Sequence, residues 1–382
     1  MPKPGEEPMN PHEIFCPNIA CPARGQTGKG NIAVHSQKEK RYICEVCQAT
    51  FTTTKGTLFY RLRTAPETVI VVMVLLANGC PIQAIVKAFG FDERTIRDWW
   101  QRAGKHCQAV HEHQVGQAQL DLQHVQADEI KVKRQEGHFW MALAIMVSTR
   151  LWLGGAVSVH RDLDLIQALA NQIKAVAMCR PLLLAVDGLA SYVTAFRNSF
   201  RTAVPHWHGE MGRPRLFSWP HIAIVQVVKK RTEGQLTITR RIVQGGQEVV
   251  ERLIYQTQGH GMINTAFIER LNATLRQRLN SLARKTRTLV RKADTLEAGM
   301  YLIGCLYNFC DPHHSLRLKL SVGRYGYRWV QRTPAIASGL ADHIWSPAEL
   351  FNYKVPLPPW EPPMQRGRRS QRILELIDRW CS

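Results

Sequence analysis

The amino-acid sequence predicts a multidomain α/β protein. The chain has 382 residues, whereas a single hydrophobic core seldom grows beyond about 250–300 residues. Four of its ten cysteines fall between positions 16 and 47, and the segment 118–320 alternates between strand-like and helix-like apolar patterns. We therefore expect a small metal-binding domain ahead of a larger α/β domain.

The composition is that of a folded chain with a strong excess of positive charge. Apolar residues make up 45% of it, which excludes wholesale disorder and a coiled-coil fibre. The longest apolar run, 69–77, is far shorter than the ~20 residues that cross a bilayer, and no export signal opens the chain, so we expect a cytoplasmic protein. The formal charge of +20 favours nucleic acid as partner, with an anionic membrane or a ribosomal surface as alternatives.

Residues 12–55 are predicted to form a zinc ribbon. The segment carries two cysteine pairs, Cys16 with Cys21 and Cys44 with Cys47. Thiolates on two tight turns can converge on one tetrahedral Zn²⁺, and the spacing within both pairs suits such ligands. A domain this small has little apolar surface, so zinc binding would supply its folding energy. The alternative is that these are buried or free thiols.

Residues 64–108 are predicted to form a helix-turn-helix DNA-binding domain. One helical pattern starts at Pro66 and stops at Asn78-Gly79, a second ends at Gly90, and a third has Asp92 as its N-cap. In this motif the last helix enters the major groove. The side chains expected to contact DNA from that helix are Arg94, Arg97, Gln101 and Arg102. An ordinary three-helix packing module would have a similar sequence.

The segment 118–320 has the element order of a ribonuclease-H-like α/β domain. Three strand patterns, HVQADEIKVK, HFWMALAIMVS and LWLGGAVSV, come first. A helix over 162–178, the strand RPLLLAV and a helix over 189–200 follow, and then a strand, a hairpin and a long helix over about 264–284. The polar stretch 108–120 ahead of them is expected to be a linker or the end of the third helix.

Asp128, Asp187 and Glu269 are candidate catalytic residues. Phosphodiester cleavage with two divalent cations needs about three carboxylates from separate segments, and hard oxygen ligands suit Mg²⁺. Asp187 closes an apolar strand, where α/β sheets bind their ligands, although a turn aspartate before Gly188 would look the same. Asp128 lies in the first strand, and its neighbour Glu129 points to the opposite face. We therefore expect only one of these two neighbours to face the site, with solvated edge acids as the alternative.

The predicted helix around Glu269 adds polar and basic side chains. Asn272 at i+3 and Arg276 at i+7 are expected on the same face as Glu269, where they would contact the DNA backbone. Further phosphate contacts are expected from Arg278, Arg284, Lys285 and Arg287. His260 precedes this helix and is a candidate for positioning water or phosphate, or for a structural role. A solvated charged helix face is the alternative for the whole set.

These residues resemble a known group, the DDE transposases of bacterial insertion sequences, and come closest to the insertion sequence 1 type. The resemblance rests on the cysteine ribbon with RYICEVCQATF, the helix-turn-helix, the acids in ADEI and in VDG followed by SY, and FIERLNATLRQRL followed by LARKTR. It covers about residues 12–320. It implies a ribonuclease-H-like catalytic domain that uses Asp128, Asp187 and Glu269, and an Arg276 that contacts transposon-end DNA.

The activity expected from this resemblance is 3′-end cleavage and strand transfer of an insertion sequence, dependent on Mg²⁺ or Mn²⁺. The expected partners are double-stranded DNA, as element ends and target, and a second or further copy of the chain, in a bacterial nucleoid. Residues 321–382 are expected to be a basic, proline-containing tail that binds DNA or a second subunit. Two alternatives stay open: a zinc-ribbon and helix-turn-helix regulator derived from a transposase, and a host nuclease of the same fold.

Overall fold

The structure is a computed structural model that describes residues 10–204, 213–232, 235–259, 261–286, 288–322, 326–364 and 367–381. Two residues proposed above as phosphate-binding candidates, His260 and Arg287, lie outside the described residues. The fold is mixed α/β and is built from four sheets and eleven α-helices within these ranges.

The elements follow one another in three groups. The first comprises β1 (Ile32–Ser36), β2 (Arg41–Cys44), β3 (Thr50–Thr52), α1 (Pro66–Ala77), α2 (Ile82–Phe89) and α3 (Glu93–His111). The second comprises β4 (His124–Lys133), β5 (His138–Met146), β6 (Trp152–Ser158), α4 (Leu163–Val176), β7 (Leu182–Val186), α5 (Ala190–Ser199), β8 (Arg201–Val204), β9 (Arg215–Ser218), β10 (Ile222–Thr232) and β11 (Gln235–Gln244). The third comprises α6 (Gln247–Gln258), α7 (Ala266–Arg278), α8 (Ala293–Cys305), β12 (Leu318–Val322), β13 (Gly326–Val330), α9 (Pro334–Ala337), α10 (Pro347–Asn352) and α11 (Gln371–Trp380).

The chain divides into two compact units, one formed by residues 1–64 and 352–382 and the other by residues 65–351. In the first unit, β1–β3 form a small antiparallel sheet. Trp380 of α11 is 4% exposed and packs in one cluster with the cysteines and with Tyr42 and Phe51. Residues 352–382 therefore belong to the cysteine-containing unit, whereas the prediction placed them in a tail over 321–382. The reason is that an apolar side chain near the C-terminus completes the core of that unit.

The second unit is centred on a six-stranded sheet with the order β11-β10-β7-β4-β5-β6. Strands β4, β7 and β10 run parallel to one another, and the remaining neighbours are antiparallel. In the β4–β7 pair, Gln126 lies opposite Ala185, and the same register carried on by two residues brings Asp128 to the level of Asp187. Helices α6, α7 and α8 contact the sheet, and Asn272 of α7 reaches Asp128 on one face. Tyr192 of α5 reaches Glu129 on the other face, and α5 packs against α4.

Helix α3 packs within the second unit. Trp100 Nε1 donates to the Thr295 carbonyl of α8 at 3.2 Å, and Gly104 lies so close to Ala298 that no Cβ would fit between them. Val110, His111 and Val115 are buried, so the polar stretch 108–120, predicted to be a linker or the helix end, is partly core. The second alternative, the end of the third helix, is confirmed for the first part of this stretch, because α3 runs to His111 and a π-helical turn follows over Glu112–Gly116.

Several local predictions are confirmed. Helix α1 starts at Pro66, α2 is capped by Gly90 in the left-handed conformation (φ 70°), and the Asp92 side chain caps α3 by accepting from the Arg94 amide. The strand HVQADEIKVK is β4 with the same bounds. The predicted helix over 264–284 is too long, because α7 ends at Arg278 and a short 3₁₀ turn then directs Leu282 into the core. Helix α6 was not predicted.

A further finding concerns membranes. Across the described ranges, each helix is too short or too polar to span a bilayer.

Candidate functional site

Three carboxylates meet where the middle of β4 passes the C-terminal end of β7. Asp128 and Glu129 lie in β4, and Asp187 directly follows β7. One ligand oxygen from each lies within 4.8 Å of the others. This set of oxygen donors, called the acid cluster below, has the chemistry that a hard divalent cation prefers.

Asp128 is the member of the acid cluster whose ionisation is most disfavoured. Burial, followed by the charges of Glu129 and Asp187, raises the pKa of Asp128 to about 7. Asn272 of α7 donates to Asp128 Oδ2 at 2.8 Å and fixes the orientation of the carboxyl group. A cation close to Asp128 would therefore lower its pKa and favour the carboxylate form.

Glu129 points to the other face of the sheet, as strand alternation requires. Its carboxylate accepts a hydrogen bond from the Tyr192 hydroxyl of α5 at 2.8 Å and one from Arg161. Burial and the charge of Asp187 raise the pKa of Glu129, although Tyr192 and Arg161 oppose this effect. The expectation that only one of Asp128 and Glu129 can reach the site is wrong, because Asp187 lies beyond the paired part of its strand and meets both.

Arg161 bridges two of the acids. Its Nη2 lies 3.0 Å from Asp187 Oδ2, and the same guanidinium pairs with Glu129. The guanidinium carbon lies 5.1 Å from the centre of the Trp140 ring, an arrangement that favours a cation. Arg161 therefore supplies positive charge at the edge of the acid cluster, where its side chain is still 36% exposed.

Glu269 lies near the acid cluster without belonging to it among the residues that the structure describes. Its charge contributes to the raised pKa of Asp128. Its own carboxylate accepts from Lys229 Nζ at 2.5 Å and from Thr265 Oγ1 at 2.7 Å. Burial opposes its ionisation, but these hydrogen bonds outweigh burial, and the pKa of Glu269 is lowered. The third predicted acid is thus ionised and paired with a lysine of β10.

The basic and polar residues predicted around Glu269 have different surroundings. Asn272 is 1% exposed and bonded to Asp128, so its predicted contact with DNA is wrong; the i+3 spacing directs it to the sheet. Arg276 is half-buried, and burial and the charge of Arg284 lower its pKa while Asp128 raises it. Arg278 pairs with Asp311 at 2.5 Å. The remaining two, Arg284 and Lys285, are exposed in the turn after α7.

The α3 residues predicted to contact DNA also differ in their exposure and in the side chains that they contact. Arg94 is exposed, Arg97 pairs with Glu93, and Arg102 lies 2.8 Å from Asp98. The half-buried Gln101 donates to Thr295 Oγ1 at 3.1 Å. Gln101 is therefore bonded to α8 while it stays partly exposed, and its contact with DNA stays a prediction.

The four N-terminal cysteines form a second cluster. The Sγ atoms of Cys16 and Cys47 are 3.6 Å apart, those of Cys21 and Cys44 are 3.8 Å apart, and all four lie within 4.8 Å of one another. Zn–S bonds of about 2.3 Å in a tetrahedron place sulfur atoms about 3.8 Å apart. The four side chains therefore fit a single zinc ion.

Local hydrogen bonds build the two turns of this cluster. The Gly25 amide donates to the Cys16 carbonyl at 3.2 Å, and the Gln48 amide donates to the Cys44 carbonyl at 2.7 Å. Burial raises the pKa of Cys21 to about 12. Since zinc binds thiolates, metal binding at this cluster must displace protons and must weaken as the pH falls.

Sequence reasoning missed Arg161, Tyr192 and Lys229 as parts of the acidic site. Arg161 lies between β6 and α4, Tyr192 lies inside α5, and Lys229 lies in β10. The signal for Tyr192 was present in the segment VDG followed by SY, but its contact with Glu129 depends on how α5 packs on the sheet.

Comparison of the chain with known proteins gave no match, either to a family model or to a curated protein. The function must therefore be argued from the residues and their geometry.

Proposed function

We propose that the chain is a DDE-type transposase that cuts the 3′ ends of an insertion sequence and joins them to target DNA. The observation that carries this proposal is the meeting of Asp128, in the middle of β4, and Asp187, just after the end of the parallel strand β7, with Glu269 on a helix near them. The sheet order supports it, since five of the six strands follow the ribonuclease-H-like order and β11 is an added antiparallel strand.

Asp128 and Asp187 of the acid cluster would hold Mg²⁺ or Mn²⁺. The fit rests on the donor set, which consists of carboxylate oxygens within 4.8 Å of one another, and on a carboxyl group, Asp128, whose pKa is raised to about 7 by burial and, after it, by the charges of Glu129 and Asp187. When bound, divalent ions would stabilise the negative charge that develops on the scissile phosphate and favour the attacking oxygen.

The protein side chains have separable tasks in this proposal. Asp128 and Asp187 bind the cation, and Asn272 holds Asp128 in place through one hydrogen bond. Glu269 would complete the set once its ion pair with Lys229 opens, which leaves Lys229 free to pair with a DNA phosphate. Glu129 holds Arg161 with the help of Tyr192, so that Arg161 can move from Asp187 to the phosphate without leaving the site.

The charge of +20 supports double-stranded DNA as the substrate. We assign recognition of the element ends to α1–α3, with Arg94 as the exposed contact, and to the proposed zinc ribbon. Both strand cleavage and strand transfer would take place in one site on a dimer or higher oligomer in the bacterial nucleoid. Arg276, Arg284 and Lys285 are the proposed phosphate contacts beside the acid cluster.

A DNA-binding regulator derived from such an enzyme is the second candidate. The observation in its favour is that two cations lie against the proposed ligands, Arg161 against Asp187 and Lys229 against Glu269. In a regulator these ion pairs would be permanent. In an enzyme they would open when metal and DNA bind.

The deciding experiment uses the full-length protein, labelled DNA from the regions flanking its gene, and a supercoiled target. The transposase proposal expects joined products with Mg²⁺ or Mn²⁺, and loss of cleavage and joining in Asp128→Asn, Asp187→Asn and Glu269→Gln. Asp164→Asn, an exposed aspartate at the start of α4, is the matched control and should keep full activity. Binding of DNA without metal-dependent joining in the unmodified protein would favour the regulator.

A further inference from the structure

A two-stranded hairpin formed by β12 and β13 stands apart from the sheet of the second unit. Its described side chains are exposed, except for the half-buried Val330. Its base is fixed: the His313 amide donates to the Arg332 carbonyl at 2.9 Å, and Arg332 Nε donates to the Leu316 carbonyl at 2.7 Å. Leu316 is buried. The hairpin is therefore an anchored projection with both faces open.

One face of the hairpin combines cations with aromatic rings. Lys319 lies opposite Trp329 and Ser321 opposite Tyr327, so these four side chains share a face. The Arg317 guanidinium carbon lies 3.9 Å from the centre of the Trp329 ring, and Lys319 Nζ lies 4.2 Å from the centre of the Tyr327 ring. We call these five residues the cationic face. The opposite face carries Arg328 among aliphatic side chains.

The charges of the cationic face remain available to a partner. On α3 and α7, carboxylates neutralise Arg97, Arg102 and Arg278. Within the described part of the chain, Arg317 and Lys319 form no ion pair with a carboxylate, and the sequence from 312 to 341 contains no Asp or Glu. Aromatic rings hold a cation in position without cancelling its charge.

We propose that the cationic face of the β12–β13 hairpin binds the phosphates of a DNA duplex. A two-stranded ribbon fits the major groove of B-form DNA, whereas the major groove of duplex RNA is too deep and narrow to admit it. Single-stranded nucleic acid binds by stacking bases on aromatic rings, but here cations already cover the Trp329 and Tyr327 rings. The surface adds a DNA contact outside the helix-turn-helix and the acid cluster, and it does not depend on catalysis.

The test measures binding of the full-length protein to a labelled DNA duplex of arbitrary sequence as a function of salt. Lys319→Gln should lower the slope of log affinity against log salt by about one unit, and the double variant Arg317→Gln/Lys319→Gln by about two. Arg328→Gln is the matched control, since it removes one charge from the other face of the same hairpin and should leave the slope within a few tenths of a unit. Lys319→Arg should restore the slope and thereby separate charge from folding.

Equal effects of Lys319→Gln and Arg328→Gln would overturn the proposal. Losses of affinity for duplex RNA and single-stranded DNA that equal the loss for duplex DNA in these variants would also overturn it. A change in sedimentation coefficient without a change in DNA affinity would overturn it too, because the hairpin would then be a contact between copies of the chain. If the unmodified protein never joins DNA ends but its salt slope still depends on Lys319, the proposed function is refuted and this inference remains.

Discussion

Arg161 and Asp187 form an ion pair, with Nη2 3.0 Å from Oδ2, at the edge of three converging carboxylates. The same arginine pairs with Glu129, whose side chain is 1% exposed. An arginine in this position balances acids that would otherwise repel one another. The charge of the acid cluster is thus partly compensated by the chain's own cation.

Arg161→Ala should destabilise the metal-free protein by about 2–4 kcal/mol, because it leaves the buried Glu129 carboxylate without its cation. Thermal unfolding with and without Mn²⁺ checks this, and the metal should recover part of the loss. Arg180→Ala breaks an exposed pair with Asp121 and should cost less than about 1 kcal/mol. Equal losses in the two variants would contradict the prediction.

Binding of Mn²⁺ to the acid cluster should tighten as the pH rises from 6 to 8. The folded-state pKa of Asp128, about 7, lies above its ordinary value, so the metal-free fold loses stability as the pH rises towards 7 while the carboxylate needed by the metal forms. The stabilisation by Mn²⁺, measured as a rise in unfolding temperature, should therefore be larger at pH 8 than at pH 6. In Asp128→Asn this pH dependence should shrink, and an unchanged dependence would rule out the assignment.

The purified protein should contain about one zinc ion per chain. Cys44→Ser should lose it, whereas Cys179→Ser, which changes an exposed thiol, should keep it. Elemental analysis after dialysis gives the answer. Acidification should release the metal because thiol protons compete for the ligands. Full zinc retention in Cys44→Ser would disprove the site.

Trp380→Ala should destabilise the first unit by about 3–5 kcal/mol, the usual cost of truncating a buried aromatic side chain. The expected readout is weaker retention of zinc in a chelator titration, since the Trp380 ring packs in the same cluster as the cysteines. Ile19→Ala, at a position 71% exposed in the same unit, is the control and should retain zinc like the unmodified chain. Normal zinc retention in Trp380→Ala would show that the C-terminal helix is not needed there.

Gly104→Ala should destabilise the second unit by about 1–3 kcal/mol, because a methyl group at this position collides with Ala298. Gly246→Ala, where nothing lies within 4 Å of an added Cβ, is the control.

Because α3 packs against α8, deletion of residues 1–108, which removes most of α3, should prevent folding of the sheet-containing unit. A deletion variant with a cooperative unfolding transition would contradict this.

The sequence by itself determined the local elements and the residue types of both clusters. Gly90, Asp92 and the apolar run before Asp187 act through their own neighbours, so short-range patterns were enough to locate α2, α3 and β7. The four cysteines could be paired with zinc from spacing alone, because two short turns supply all of the ligands.

Only the tertiary structure decided which side chains meet. Glu129 joins Asp128 and Asp187, and Arg161 and Lys229 pair with the acids, because strands and helices far apart in sequence end at one edge of the sheet. Gln101 and Asn272 were assigned to DNA from their positions on predicted helices, but helical spacing gives a face and not what covers it. The same limit applies to Trp380, whose place in the cysteine cluster depends on packing between the two ends of the chain.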